Sequence, residues 1–270
     1  MAETGALSTF YVSHGSPMMP LQDIPITAFF QNWTKRYPTR PKAILAISAH
    51  WDTREPAVNV VSKNDTIHDF YNFPPELYKL QYTPPGAPDI ARRVKSLLQD
   101  AGFKTVIEDT KRGLDHGTWT PLMLMYPKAD IPVFQLSIQS DKDAKHHFLM
   151  GRALAPLKDE GVMIFASGTS VHNLREMDFS ATKPTTWAKA FDGWLDDVLL
   201  NKKHSEILKW EDAPYARKAH PHPDHFLPVL VALGAAGEQC KAEKIYEEFA
   251  YGLALSCFEF HPPDNSVAAS

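Results

Sequence analysis

Residues 220–225 read HPHPDH and place three histidines within six positions. Four other histidines stand in short motifs rich in small and polar residues: His14 in YVSHGSP, His50 in ISAHW, His116 in RGLDHGTW and His172 in SGTSVHNL. Imidazole is a common metal ligand and exchanges protons near neutral pH. These motifs therefore predict metal binding, proton transfer, or both.

The apolar pattern around these motifs predicts the elements that position them. The runs STFYVS, KAILAIS and VMIFASG are typical of buried strands, and they precede His14, His50 and His172. His116 lies in a loop after the predicted strand KTVIED, and His225 stands at the start of the predicted helix FLPVLVALGAAG. Because ligands bind outside the carboxyl ends of strands in open α/β sheets, we expect these imidazoles to meet in one pocket. Imidazoles that meet in such a pocket indicate a metal site whose ligands are far apart in the sequence and form no short spacing motif.

Small and polar residues surround the histidine motifs. Their glycines allow tight turns and close backbone approach, and their hydroxyls can orient imidazole rings. Asp115 and Asp224 directly precede His116 and His225. Either carboxylate is a candidate partner for a neighbouring ring, although residues adjacent in sequence usually point apart.

Predicted strands alternate with predicted helices along the whole chain. The helices include APDIARRVKSLLQDAGF, KDAKHHFLMGRALAPLKDEG and TWAKAFDGWLDDVLLN, and the further strands include AVNVVS, IPVFQLSI and LALSCFEF. This order predicts an α/β fold, a layered α/β/α arrangement around a central mixed, mostly parallel sheet whose last strand runs antiparallel. Without an internal repeat or low-complexity linker, residues 1–270 are predicted to form a single catalytic domain.

Composition limits the classes of partner. A net charge of −4 without a basic stripe argues against nucleic acid or an anionic membrane. The two cysteines, Cys240 and Cys257, are too few for a disulfide framework and favour a reducing compartment. The N-terminal residues lack a signal-peptide pattern, and no apolar run approaches a membrane span, so we expect a cytoplasmic protein that acts on a small molecule.

Other motifs refine the prediction of the site. His68 precedes the aromatic stretch in TIHDFYNFP, and it is predicted to contact the substrate together with Ser16 and Trp119. His146 and His147 are predicted to pack on a helix or face solvent. The chain contains no P-loop, no G-x-G-x-x-G and no G-x-S-x-G pattern, so phosphate sites, dinucleotide sites and the nucleophile elbow have no support.

Longer segments of the sequence resemble one known family across nearly the whole chain and in the family's order. The matching segments are YVSHGSPM, KAILAISAHWDT, TIHDFYNFP, RGLDHGTWTPLMLMYPKADIPVFQLSIQ, FLMGRALAPLKDEGV, ASGTSVHNL and HPHPDHFLPVLVALGAAG. They resemble the LigB-type, class III extradiol ring-cleaving dioxygenases, in the branch called 4,5-DOPA extradiol dioxygenase-like. The details are most similar to the plant members, with the bacterial members close behind.

The resemblance implies a role for each of the main histidines. It assigns metal binding to His14, His50 and His225, so that a third imidazole stands where the wider superfamily has a glutamate. It assigns acid/base catalysis to His172, which in the family lies close enough to the metal to count as a fourth ligand. His116 matches a histidine that hydrogen-bonds substrate or oxygen.

The resemblance also implies the reaction. The implied enzyme is an oxidoreductase of aromatic compound metabolism that uses Fe(II) and O2 to open a catechol ring, giving a seco-DOPA-like semialdehyde. A three-histidine site also binds Zn(II) well, so Zn(II) is expected to be able to occupy the site in purified protein, without supporting redox chemistry.

One departure from the family concerns the substrate. Betalain-producing plant enzymes carry an acidic, proline-containing segment after the histidine that matches His172, whereas this chain reads HNLREMDF. The implied substrate is therefore a broader catechol, either DOPA or a caffeoyl-type phenol. Two alternatives stay open from sequence: a zinc-dependent hydrolase, and a non-catalytic binding protein on the same fold.

Overall fold

The computed structural model describes residues 6–263 and is built around one eight-stranded sheet. The strands are β1 (Thr9–Ser13), β2 (Ala43–Asp52), β3 (Ala57–Asn59), β4 (Ile107–Asp109), β5 (Val133–Ile138), β6 (Val162–Gly168), β7 (Lys241–Ala250) and β8 (Leu253–His261). They are ordered β4-β3-β5-β2-β6-β1-β8-β7 across the sheet.

The direction of the strands confirms the predicted mixed, mostly parallel sheet. Strands β5, β2, β6 and β1 are parallel neighbours, and β3 and β4 also pair in parallel. Strand β8 runs antiparallel to β1, as expected for the last strand, and β3 runs antiparallel to β5. The parallel neighbours deliver their carboxyl ends to one edge of the sheet.

Helices connect and cover the strands. They are α1 (Pro25–Gln31), α2 (Trp33–Arg36), α3 (Pro88–Asp100), α4 (His116–Met125), α5 (Ala144–Leu154), α6 (Pro156–Asp159), α7 (Thr186–Leu200), α8 (His204–Ile207), α9 (Ala216–Ala219) and α10 (Leu227–Ala236). Short 3-10 helices span Met19–Leu21, Leu77–Lys79, Leu174–Glu176 and Trp210–Asp212.

The two faces of the sheet bury separate apolar clusters, which confirms the layered α/β/α arrangement. In β2, Leu45 and Ile47 pack with residues of α3, α5, α7 and α10. The alternate residues Ile44 and Ala46 pack on the opposite face with residues of α1, α2 and α4. Since successive side chains of a strand point to opposite faces, a continuous apolar run indicates a strand covered on both sides.

Several elements differ from the sequence-based expectation. The predicted helix KDAKHHFLMGRALAPLKDEG is divided into α5 and α6, because Pro156 has no N–H to continue the helical hydrogen bonds. Strand β7 was not predicted, because a bulge between Lys244 and Tyr246 places its buried residues Ala242 and Ile245 three positions apart and hides the period of two. His116 is the first residue of α4 instead of lying in a loop. This residue is therefore held at a helix N-terminus.

Within residues 6–263, no helix is both long and apolar enough to cross a membrane. The expectation that the N-terminal residues lack a signal-peptide pattern concerns, in part, residues 1–5, which lie outside the described part of the chain.

Candidate active site

Five histidines converge at the carboxyl edge of the parallel strands. His14 follows β1, His50 lies near the end of β2, and His172 follows β6; these three strands are neighbours. His116 and His225 arrive from the starts of α4 and α10. Ring centroids are 5.0 Å apart for His14 and His50, 4.9 Å for His50 and His225, and 3.9 Å for His50 and His116. The predicted convergence is thus present.

The register of β2 against β5 shifts between Ile47 and Asp52, the part of the strand that carries His50. The backbone N–H of His50 donates to Ser48 Oγ at 3.1 Å, and the Ser48 hydroxyl donates to Asp115 Oδ1 at 2.6 Å. Arg112 donates both to the His50 carbonyl at 3.2 Å and to Asp115 Oδ2 at 3.1 Å. The fully buried Asp115 carboxylate therefore fixes the backbone that carries His50 and does not orient the adjacent His116 ring.

His14 is held in one tautomer by a chain of hydrogen bonds. The Ser167 hydroxyl donates to the carbonyl of Gly117, so its oxygen accepts from His14 Nδ1–H at 3.0 Å. His14 Nε2 is then unprotonated and lies 3.1 Å from His50 Nε2. A Cβ on Gly117 would lie 2.6 Å from Ser48 Oγ and 2.9 Å from the His50 ring, so only glycine permits this approach.

Asp69 is a functional candidate that the sequence did not reveal. Its Oδ1 accepts the backbone N–H of His116 at 2.8 Å, and its Oδ2 accepts His116 Nδ1–H at 2.8 Å. His50 Nδ1 lies 3.6 Å from the same Oδ2. Burial tends to raise the pKa of Asp69, but the hydrogen bonds and charge interaction with His116 outweigh it and lower that pKa. The carboxylate is thus kept ionised between two imidazoles.

His225 is buried with both of its ring nitrogens free. Its side chain is 3% exposed, and neither Nδ1 nor Nε2 has a hydrogen-bond partner among residues 6–263. Asp224 Oδ1 lies 3.2 Å from Nδ1 but does not form a hydrogen bond with it, and accepts the backbone N–H of His225 instead. The His225 carbonyl accepts from Tyr11 Oη at 3.0 Å, and a Cβ on Gly168 would lie 2.1 Å from that carbonyl. A buried imidazole without a partner is costly unless a ligand binds it.

His172 stacks on His225, with ring centroids 3.4 Å apart and planes 9° apart. Its backbone N–H donates to the carbonyl of Ala219 at 2.9 Å, which anchors the loop after β6. The side chain is only partly buried, so it lies at the border between the cluster and solvent. This position suits a group that exchanges protons with a bound molecule.

The cluster favours neutral imidazoles. Burial, followed by the proximity of the other histidines, lowers the pKa of His14 and of His225 well below the ordinary value. Burial also lowers the pKa of His50 and of His172. Neutral imidazole is the form that coordinates a metal ion, because its free lone pair is the ligand.

The predicted substrate contacts fall in different environments. His68 donates from Nε2 to the Leu80 carbonyl at 3.0 Å, and its ring lies near Phe70 and Trp119 at 5.8 and 5.9 Å. Trp119 is fully buried and its indole N–H donates to the Ile67 carbonyl. It therefore packs behind the rings of His68 and Phe70 and has no exposed face for a substrate. Ser16 is exposed and accepts from the Met18 backbone. Of these rings, Phe70 lies nearest the cluster, 5.8 Å from the His116 ring.

The donor set fits a divalent metal ion. Ring nitrogens of His14, His50 and His116 lie within 4.8 Å of one another, and His172, Asp224 and His225 form an adjoining group of the same kind. The unprotonated His14 Nε2 faces His50 Nε2 at 3.1 Å, an arrangement that a shared proton or cation must stabilise. Imidazole nitrogens suit both iron and zinc.

The fold and the cluster together define an α/β enzyme with a histidine-rich centre able to hold a metal ion. Comparison with known families matches residues 8–256 to the catalytic LigB subunit of aromatic ring-opening dioxygenase. The chain belongs to this family and is an extradiol ring-opening dioxygenase, an enzyme class that combines a small aromatic substrate with O2. The resemblance seen in the sequence is confirmed.

Curated relatives and a solved structure agree with this assignment. The chain is 50% identical over 255 residues to the 4,5-DOPA dioxygenase extradiol of Beta vulgaris, covering 93% of this chain and 95% of the relative. It is 41% identical over 233 residues to the enzyme of the same name from Escherichia coli K12, covering 85% of each. The crystal structure of an uncharacterized E. coli K12 protein superposes with a TM-score of 0.79 at 33% identity, covering 94% of this chain and 99% of that one.

Proposed function

We propose that this enzyme opens the ring of a catechol such as DOPA or a caffeoyl-type phenol, using O2 and Fe(II), to give a seco-DOPA-like semialdehyde. Four plant and bacterial relatives named 4,5-DOPA dioxygenase extradiol are 41–50% identical to the chain, which supports a catechol substrate. We also propose that residues 1–270 act as one catalytic domain, since both apolar clusters share a single sheet.

The observation that carries the proposal is the unpartnered, buried ring of His225 beside His14 and His50. We assign His14, His50 and His225 as the metal ligands. His116 also lies within reach through its Nε2, since its Nδ1 is bonded to Asp69. We choose His225 as the third ligand because both nitrogens of this buried ring lack a partner among the described residues. When bound, Fe(II) supplies an electrophilic centre and a path for electrons between catechol and O2.

The remaining residues bind the substrate and move protons. A catechol must lose its two hydroxyl protons before ring opening. The first is released to solvent as the catechol binds, and a ring nitrogen of His172, at the solvent border of the cluster, is the proposed acceptor of the second. His172 then returns the proton to the opening ring. His116 presents its Nε2 to substrate or oxygen, because Nδ1 is held by Asp69. Phe70 and His68 form an aromatic wall beside His116, which suits a planar substrate.

Metal-free protein reconstituted without oxygen tests the proposal. Samples loaded with Fe(II) or with Zn(II) are mixed with DOPA or caffeic acid in buffer containing oxygen. Oxygen uptake and a yellow ring-opened product with Fe(II), but not with Zn(II), are expected. If stoichiometric Fe(II) binds and a panel of catechols gives no oxygen uptake, the ring-opening assignment is wrong. Turnover that needs Zn(II) and no oxygen would indicate hydrolysis instead.

A further inference from the structure

We propose that Asp69 is a positioning residue of this active site, whose carboxylate fixes the orientation and tautomer of His116 and supports His50. The inference deepens the proposed function and rests on it for its kinetic part. Its structural part, the tautomer of His116, can be measured in protein without metal or substrate.

Asp69 contacts His116 at two points. One carboxylate oxygen accepts the backbone N–H at the start of α4, and the other accepts Nδ1–H of the ring, each at 2.8 Å. A carboxylate at a helix N-terminus satisfies a free N–H and is stabilised by the helix dipole. Because both oxygens are engaged with the same residue, the His116 ring cannot rotate without breaking a charge-assisted hydrogen bond.

The loop that carries Asp69 is hydrogen-bonded to the chain just before α4. The Ile67 N–H donates to the Leu114 carbonyl, and the Leu114 N–H donates to the Asp65 carbonyl, each at 2.8 Å. The indole of Trp119 in α4 donates to the Ile67 carbonyl at 2.9 Å. These hydrogen bonds hold the backbone of the Asp69 loop close to α4. The contact between Asp69 and His116 is therefore supported by the backbone of the loop as well as by the Asp69 side chain.

His50 also lies beside Asp69. Its Nδ1 lies 3.6 Å from Asp69 Oδ2, so the carboxylate would favour a proton on Nδ1 whenever Nε2 serves as a metal ligand. The same Nε2 faces His14 Nε2 at 3.1 Å. With a metal bound, Asp69 therefore favours, in two rings at once, the tautomer that leaves Nε2 available to the centre. Asp115, the other carboxylate nearby, is fully occupied by Ser48, Arg112 and Gln135.

The test compares Asp69→Asn and Asp69→Glu with the matched control Asp65→Asn. Asparagine keeps one acceptor oxygen but places an N–H2 group against the second donor of His116, whereas glutamate retains the carboxylate. Asp65 is an exposed residue of the same loop whose structural contacts use its backbone, so its asparagine variant changes only surface charge.

Nitrogen-15 NMR of the histidine rings in metal-free protein is the first readout. We expect His116 to carry its proton on Nδ1 in wild type, in Asp65→Asn and in Asp69→Glu. We expect a mixture of the two tautomers in Asp69→Asn. A merely structural role for Asp69 would lower the melting temperature without redistributing the proton. An unchanged tautomer in Asp69→Asn would overturn the proposal.

Steady-state kinetics of the Fe(II) enzyme with DOPA are the second readout. Loss of a partner that orients an active-site ring typically costs about 10–100-fold in activity or metal affinity. We expect that loss in kcat for Asp69→Asn, with a smaller change in KM, partial recovery in Asp69→Glu and no loss in Asp65→Asn. Wild-type protein that opens no catechol would refute the proposed function, and the NMR result would still decide the role of Asp69.

Discussion

His172 and His225 face each other as parallel rings, with centroids 3.4 Å apart and planes 9° apart. An imidazole binds a metal ion in the plane of its own ring. Because the two rings are stacked and nearly parallel, the in-plane lone pairs of His172 and His225 lie in separate planes and do not converge on one point. This relationship favours His225 as the ligand and His172 as the proton-transfer residue, rather than as a fourth ligand.

Replacing His172 by glutamine is expected to leave the metal content of the protein unchanged and to lower kcat. Removal of a general acid or base typically costs about 10²–10⁴-fold in rate. Metal analysis of the purified variant and oxygen uptake with DOPA measure the two effects. His222→Gln, at an exposed histidine three residues from His225, is the control and is expected to keep both properties. A loss of metal from His172→Gln would assign His172 to the ligand set.

Replacing His225 by alanine is expected to remove metal binding. The loss of an orienting partner alone costs about 10–100-fold in affinity, so the loss of a ligand should cost at least about 100-fold. Titration of the metal-free variant with Fe(II) or Zn(II) under anaerobic conditions measures the affinity, and His222→Ala is the matched control. Wild-type affinity in His225→Ala would indicate that His14, His50 and His116 form the site instead.

Gly168 and Gly193 offer a matched pair of glycine-to-alanine substitutions. A Cβ at Gly168 would lie 2.1 Å from the His225 carbonyl, so Gly168→Ala is expected to displace that backbone and to cost about 1–3 kcal/mol of stability. Gly193 lies on the exposed face of α7, where the described residues leave room for a Cβ, so Gly193→Ala should stabilise by about 0.5–1 kcal/mol. Urea unfolding measures both changes. A tolerated Gly168→Ala with wild-type metal affinity would contradict the close contact.

Protonation of His147 is expected to lower the free energy of unfolding in acid. Its Nε2 accepts the Gln139 N–H at 3.2 Å and its Nδ1–H donates to the Asp143 carbonyl at 3.0 Å, so the folded protein holds the neutral ring. Burial lowers its pKa from 6.5 to about 4. The unfolded chain binds the proton more readily, so this contribution is complete above pH 6.5 and is lost as the pH falls from 6.5 toward 4.

The size of that loss is up to about 3.5 kcal/mol, since the pKa falls from 6.5 to about 4 and each pKa unit corresponds to about 1.4 kcal/mol. In His147→Gln the free energy of unfolding should fall less between pH 7 and pH 4.5 than in wild type, as measured by urea titration at both values. The other buried histidines are the same in both proteins, so the difference isolates His147. Equal losses in the two proteins would refute the prediction.

The sequence predicted that the histidines converge, but it did not predict the residues that hydrogen-bond to them. His14, His50 and His172 follow runs that read as buried parallel strands, and the shared carboxyl edge of such strands brings them together whatever the loop lengths. Asp69 was visible beside His68, but its partner His116 lies 47 residues away, and their contact depends on how two loops pair. No spacing rule predicts such pairing.

Local rules also failed where the backbone departs from ideal geometry. The bulge in β7 broke the alternation that identifies a half-buried strand. The register shift in β2 lies in the segment that carries His50, and the apolar run of β2 does not predict it. Asp115 was a candidate hydrogen-bond partner for the His116 ring, yet its carboxylate accepts hydrogen bonds from residues on other elements. Helices and strands followed from periodicity, whereas these details follow from tertiary contacts.

The two edge strands of the sheet are poorly suited to pairing with a strand of another chain. At one end, β4 has three residues and pairs only with β3 in the described sheet. At the other end, β7 carries a bulge and a series of charged residues: Lys241, Glu243, Lys244, Glu247 and Glu248. Short length, bulges and charges make an unpaired strand a poor template for another chain. Both borders of the described sheet therefore discourage the addition of a strand from another chain.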